Sequence, residues 1–211
     1  MKLTDIRLNY SKHTLEEAAS GSDPAKLFSQ WLKDAIEANV SEPSAMVLST
    51  VSQQNRPSSR VVLLKGFEEG RFVFYSNYSS RKGKEIESNQ FVSLLFFWPE
   101  LERQVRVEGL VCRESAEVSD KYFNSRPLES RIGAIVSPQS EIVESREILE
   151  KKFREFFAQE ESAQLRRPDF WGGYVVDPEV FEFWQGRPGR LHDRIRFRKD
   201  QEAWIRERLA P

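Results

Sequence analysis

One cysteine, Cys112, stands in 211 residues, so the chain can hold no internal disulfide, and a lone thiol fits a reducing compartment. Histidine is almost as scarce. The two present, His13 and His192, lie far apart and with a single cysteine exclude a zinc site of standard spacing. Neither sign of charge prevails: 32 Lys and Arg face 33 Asp and Glu, a formal net charge of −1. The molecule as a whole is therefore no polyanion binder, and any anion must be met by local clusters of cations. Long apolar runs are also missing. The longest, residues 94–98, is far too short to cross a bilayer. The opening MKLTDIRLNYSKHTLEEAASGSDP is polar and lacks the apolar centre of a signal peptide. These absences predict a cytoplasmic chain that engages neither membrane nor nucleic acid. No G-x-G-x-x-G or G-x-x-x-x-G-K-[ST] occurs, which removes the Rossmann and P-loop routes to a nucleotide. A Ser-His-Asp hydrolase built on His192 and Asp193 finds no G-x-S-x-G elbow to support it.

What the chain does have is aromatics, with 15 Phe and 5 Trp, enough for a proper core. Residues 1–23 show no periodicity and read as a mobile arm. Asp23-Pro24 then offers an N-cap followed by proline at the first helical position. Behind it Phe28, Trp31, Leu32, Ala35 and Ile36 repeat at three and four, which predicts a helix ending near Asn39. From residue 45 the period shortens. Runs at 45–52, 59–66, 71–77, 91–98 and 102–113 read as strands, as do 173–177, 180–185, 194–199 and 203–209. Helices are expected at 79–89, 116–136 and 145–160, the last with Ile148, Leu149, Phe153, Phe156 and Phe157 on a core face. Many short strands with few βαβ units predict a mainly β fold with flanking helices, an antiparallel barrel forming a single domain over 24–211.

Three clusters suit an anion. Arg60 and Lys65 end one apolar strand, pointing to opposite faces unless a bulge re-aims one. Ser79, Ser80, Arg81 and Lys82 stand at a helix start, where free N–H groups, hydroxyls and cations converge. Tyr122 and Arg126 share a helical face with Ser130 one turn on, a phenol, guanidinium and hydroxyl suited to a phosphate monoester. Each also has an ordinary explanation, as surface charge, capping or packing.

The densest chemistry lies in FWQGRPGRLHDR, residues 183–194. Gly186, Pro188 and Gly189 stop a strand and let backbone approach a ligand. Trp184 offers a flat face, and Arg190 and His192, two apart in an extended segment, would point to one side. Composition leaves open whether His192 exchanges protons or is a hydrogen-bonded structural histidine.

Taken together, RVVLLK (60–65), FYSN (74–77), SRK (80–82), SLLFFW (93–98), LERQVRVEG (101–109), KYFNSRP (121–127), QS (139–140), FWGGY (170–174) and EFWQGRPGRLHDR (182–194) resemble the pyridoxine (pyridoxamine) 5′-phosphate oxidase family, FMN-dependent enzymes of the split-barrel fold. The resemblance implies an antiparallel, Greek-key-like FMN-binding split barrel. It implies oxidation of pyridoxamine or pyridoxine 5′-phosphate to pyridoxal 5′-phosphate, with hydride passing to flavin N5 and O2 returning as H2O2. It further implies a homodimer with FMN at the interface. On this reading Arg60, Val61, Val62, Leu63, Leu64, Lys65, Tyr75, Ser76, Arg81 and Lys82 of one subunit contact the flavin. Gln104, Gln139, Ser140, Trp184 and Arg194 would come from the other. The substrate phosphate would meet Lys65, Tyr122, Arg126 and Ser130, while Arg190 and His192 hold its ring over the flavin as the catalytic pair. Arg7 and Tyr10 match a pair that closes over the site, making the arm a lid. Glu42 stands where some relatives have Asp, and Pro138 precedes the QS pair. Two other classes were weighed: a flavin or pyridoxal-phosphate carrier without turnover, against which the intact Lys65, Tyr122, Arg126, Arg190 and His192 set argues, and a single-strand nucleic-acid binder, against which the neutral charge argues.

Overall fold

A computed structural model of the chain describes residues 9–159 and 165–211. Nine strands, all paired antiparallel, form one sheet: β1 (Ala45–Val51), β2 (Pro57–Leu63), β3 (Gly66–Glu68), β4 (Arg71–Asn77), β5 (Phe91–Trp98), β6 (Arg103–Arg113), β7 (Trp171–Gln185), β8 (Asp193–Asp200) and β9 (Ala203–Arg208). The path runs β2-β1-β5-β6-β7-β4-β3, with β8 on the second half of β7 and β9 beyond it. The two ends of that path, β2 and β3, are separated in the chain by only Leu64 and Lys65. A sheet whose outermost strands are joined by two residues must curl until its edges meet, and β2 and β3 share no ladder, so the barrel stays split.

Strand alternation supplies the core. Met46, Leu48, Leu94, Phe96, Val105, Val107, Phe72, Phe74, Phe181 and Phe183 point inward and are buried. Helix α2 (Pro24–Glu37) closes the barrel: Asp23 caps it, its Oδ1 accepting from the Ala25 and Lys26 N–H groups. It inserts the fully buried Phe28 among Phe67, Phe72, Phe96 and Trp98, with ring centroids 4.6–6.3 Å away. The remaining helices are α1 (Glu17–Ser20), α3 (Arg81–Ser88), α4 (Ala116–Ser125), α5 (Leu128–Val136) and α6 (Arg146–Gln159). Among the described residues no helix is long and apolar enough to cross a membrane.

Several expectations about elements are corrected. The helix expected over 116–136 is two: Arg126 precedes a proline, which disfavours helical backbone, and it sits extended at φ −77°, ψ 149°. The strand expected at 59–66 ends at Leu63, because the Leu64 N–H turns to Ser44 O and the Lys65 N–H to Val73 O. The two strands expected at 173–185 are one, bent by a bulge where Glu108 faces Val180 and Gly109 faces Pro178. Gly109 is required there, since a Cβ would fall 2.2 Å from Asp177 O. The apolar face of α6 lies outside the core: Phe153 and Phe156 are only half-buried and Phe157 is exposed. Residues 9–23, read as an arm, carry α1 and bury Leu15 and Ser20.

Candidate active site

The first cluster gathers at the start of α3. Ser80 caps the helix by accepting from the Gly83 N–H, and this presents Arg81 and Lys82. The half-buried Lys82 Nζ donates to Gln139 Oε1 at 2.8 Å, Ser76 Oγ at 3.1 Å and Ser80 Oγ at 3.3 Å. Burial, and then the nearby Arg60 charge, push the Lys82 ammonium down to about 8. Arg60 crosses from β2 to the same corner, where its NH1 donates to Leu48 O and Thr50 Oγ1 and its NH2 to Ser58 Oγ and Glu85 Oε2. Beside these groups lies a cavity of about 470 Å³, lined by Ser52, Gln54, Ser79, Arg81, Lys84 and Gln139 among others. Cations, hydroxyls and a helix N-terminus around one cavity suit a phosphate.

The second cluster stands next door on β4. The Tyr75 ring stacks on Tyr122 at 3.7 Å and on Trp171 at 5.6 Å, and the Arg126 guanidinium lies 4.7 Å over Trp171. Burial, with Glu114 and Tyr122 nearby, pushes the Tyr75 phenol up to about 12. Burial likewise raises Tyr122 and lowers Arg126 from the usual guanidinium value. Among the described residues Arg126 NH1 is buried without a hydrogen-bond partner. A guanidinium held in this state is short of an anion. The single helical stripe expected for Tyr122, Arg126 and Ser130 is corrected by the break at Pro127: Tyr122 belongs to α4, Arg126 to its C-cap, and Ser130 to α5.

The third cluster occupies the far end of β7. Gln104, Trp184 and Arg194 are direct partners across β6, β7 and β8, so their half-buried side chains share one face. Arg194 pairs with Glu182 and donates to Ala210 O. Tyr10 meets Trp184 edge-on at 5.7 Å and His192 at 5.8 Å, and packs so close to Gly186 that a Cβ there would lie 2.8 Å from the Tyr10 Cβ. The Arg187 N–H donates to His192 Nδ1 at 3.1 Å. An Nδ1 that accepts leaves the imidazole proton on Nε2, available as a donor. Arg187 NH1 and the Leu15 N–H both donate to Asp193 Oδ2, and Arg208 NH1 donates to Oδ1. Burial would raise Asp193, but these donors hold it below the usual carboxylate value. The Ser11 and Lys12 N–H groups donate to Glu102 Oε2. The arm therefore lies against this end of the barrel through residues 10–17.

Other expectations fall elsewhere. Residues 188–190 form a 3-10 turn with Arg190 at φ 63°, not the extended segment that would align Arg190 with His192. Arg190 is exposed, while His192 is half-buried against Trp184 at 4.7 Å. Gln139 meets Lys82 and Ser76 of its own chain, a contact the assignment to a partner subunit does not anticipate, and Ser140 follows it at φ 76°. Lys65, Val61 and Leu63 are exposed, Val62 is half-buried and Leu64 is buried. Glu42 is an exposed turn residue at φ 53°. Arg7 lies outside the described residues. Sequence reasoning passed over Glu85, Glu102, Trp171 and the buried role of Asp193. Trp171 lay inside FWGGY, Glu102 inside LERQVRVEG and Asp193 inside RLHDR, whereas Glu85 lay in no motif.

Residues 32–160 match the pyridoxamine 5′-phosphate oxidase family, and residues 171–211 match the pyridoxine 5′-phosphate oxidase C-terminal dimerisation region. A pyridoxine/pyridoxamine 5′-phosphate oxidase of Haemophilus influenzae is 53% identical over 211 residues, all of both chains. One of Leptospira interrogans is 50% identical, covering 100% of this chain and 99% of its own. Among solved structures, PhzG from Burkholderia lata, in complex with tetrahydrophenazine-1-carboxylic acid, superposes with a TM-score of 0.88 at 30% identity, covering 94% of this chain and 98% of its own. The split barrel is thus the fold of this chain.

Proposed function

The chain belongs to the pyridoxamine 5′-phosphate oxidase family, and from that premise we propose that it is an FMN-dependent oxidase converting pyridoxamine and pyridoxine 5′-phosphate to pyridoxal 5′-phosphate. The observation that carries the substrate class is Arg126, whose buried, partnerless NH1 lies beside the Tyr75–Tyr122–Trp171 stack. A phosphate monoester supplies the acceptor it lacks. Tyr122, Ser130 and Lys65 stand as its companions.

The residues present also fit FMN. Arg81, Lys82 and Ser76 with the α3 N-terminus beside the cavity suit its phosphate, and the Gln104–Trp184–Arg194 row offers a flat, polar-edged surface for its ring. Bound there, the flavin supplies hydride acceptance from the substrate's C4′ carbon and reoxidation by O2 to H2O2. The chain's own work is positioning. The Arg187 N–H keeps the His192 proton on Nε2, where it can donate to the substrate ring. Tyr10 covers Trp184 and His192 and excludes water from that face. Arg190, on its exposed turn, is the other half of the ring clamp.

Two chains complete the site. Tyr75 lies opposite Gly173 on β7 and Trp184 lies eleven residues further along it, so up to roughly 35 Å of strand separates the two halves. A homodimer that sets one chain's Lys82 corner against its partner's Trp184 row brings them to one flavin. The anaerobic visible spectrum tests the proposal. Yellow protein should bleach on adding pyridoxamine 5′-phosphate and recover its colour with peroxide release in air; a colourless protein, or colour that no vitamer phosphate bleaches, defeats it.

A further inference from the structure

Behind the first cluster lies a carboxylate that neither the family signature nor the proposed chemistry accounts for. Glu85, on α3, is 5% exposed, yet its environment makes it fully ionised. Its Oε2 accepts from Thr50 Oγ1 at 2.5 Å, Ser58 Oγ at 2.6 Å and Arg60 NH2 at 3.2 Å, and its Oε1 accepts from Arg81 Nε at 2.9 Å. The two hydroxyls are relays. Each accepts from Arg60, through NH1 and NH2 respectively, and donates its own O–H to Glu85 in a hydrogen bond. With NH1 also bonded to Leu48 O, all four terminal N–H bonds of Arg60 are committed, and Nε is left without a partner among the described residues. Burial would raise the Glu85 carboxyl, but these hydrogen bonds and the Arg81 charge hold it down at about 2.

We infer that Glu85 is a positioning residue. It clamps Arg60 from β2 and Arg81 from its own helix into one rigid frame, so that the phosphate of FMN meets preset cations. This assignment rests on the flavin reading given above. Its physical content is that geometry outweighs charge. Glu85 is an anion close to where another anion is to bind, and by Coulomb's law alone it weakens that binding. A fold that keeps it there gains only if two flexible guanidinium groups are ordered in advance, so that binding does not have to order them. The arrangement also divides the labour between the cations. Arg60 acts through its fixed charge and Nε, and Lys82 through its charge, its three N–H groups being taken by Gln139, Ser76 and Ser80, whereas Arg81, exposed on its outer side, keeps donors free for ligand.

The sign of one substitution decides the matter. Apoprotein of the full chain is titrated with FMN and, separately, with riboflavin, which lacks only the phosphate, by quenching of flavin fluorescence. Glu85→Gln removes the negative charge and keeps the shape. If Glu85 positions the cations, FMN binds at least tenfold more weakly while riboflavin affinity stays within about twofold, and Glu85→Asp recovers part of the loss. Tighter or unchanged FMN binding in Glu85→Gln overturns the inference, and so does an equal fall for both flavins, which marks a general structural role. Should Glu85→Gln fail to fold, Ser58→Ala removes one relay with the carboxylate intact: a threefold or greater loss for FMN alone supports the inference, and equal losses overturn it. Wild-type apoprotein that takes up neither flavin defeats the flavin reading itself, and the inference falls with it.

Discussion

A buried donor left unpaired costs about 1–3 kcal/mol, and Arg126 carries one at NH1 among the described residues. On the proposed reading the same N–H donates to the substrate phosphate. Arg126→Ala should therefore raise KM for pyridoxamine 5′-phosphate by roughly 10- to 100-fold, the loss of a charged hydrogen bond worth about 1.5–3 kcal/mol, with kcat changed little. Steady-state peroxide release reads the split; a fall in kcat at constant KM would move Arg126 from substrate binding to the chemical step. Lys82 makes a second prediction, in pH. Burial first and Arg60 second bring its ammonium to about 8, so in apoprotein it loses its proton as pH rises through that value. FMN phosphate calls for the charged form. FMN affinity should hold steady up to about pH 7.5, then fall between 8 and 10, and Lys82→Met should bind weakly with that step abolished. Stability moves the other way: the unfolded chain keeps this proton up to the ordinary lysine value, so the cost of burying the charge is relieved above about pH 8. Fluorescence titration across pH checks the first part and denaturant melts check the second.

At the level of elements, most of the fold could be read from periodicity because strands and helices bury different spacings of the same residues. Helix α2 is the clearest case: its Asp-Pro start, its apolar stripe and its burial against the barrel agree. Phe28 is its keystone, enclosed by rings from β3, β4 and β5, and Phe28→Ala should lower unfolding free energy by about 3–5 kcal/mol in denaturant titration. A loss under 1 kcal/mol would mean that the barrel closes without the helix. What periodicity missed has physical reasons. Arg126 and Tyr122 share a face in an unbroken helix, but Pro127 breaks it, and a stripe then becomes a junction between two helices. Arg190 and His192 alternate together in extended chain, but Pro188 and Gly189 make a turn. The positioning roles of Glu85 and Asp193 were invisible, because their partners lie on elements far away in sequence: Thr50 and Ser58 for one, Leu15 and Arg208 for the other. Family resemblance named the residues proposed to touch ligand; it did not name those that hold them.

The whole molecule raises the question of what covers the outer face of the sheet. On β2 and β5 Val61 is 64% exposed, Phe91 60% and Phe97 53%, and Leu63 and Leu110 extend the same apolar surface along β2 and β6. Phe97 stands directly opposite Gln104, so the row Phe97–Gln104–Trp184–Arg194 runs unbroken across four strands from the apolar surface to the third cluster. On the proposed reading, burial of this surface by a second copy and completion of the flavin site are one event, since the face that seeks cover carries the row proposed for the flavin ring. A charge placed on it should break both together. Phe97→Glu buries an unpaired carboxylate in the dimer and should yield a folded monomer by sedimentation, with its flavin content and peroxide production both falling at least tenfold at micromolar protein and partly restored as concentration rises. A Phe97→Glu monomer that retains one flavin per chain would separate assembly from cofactor binding and place the whole flavin site within a single barrel.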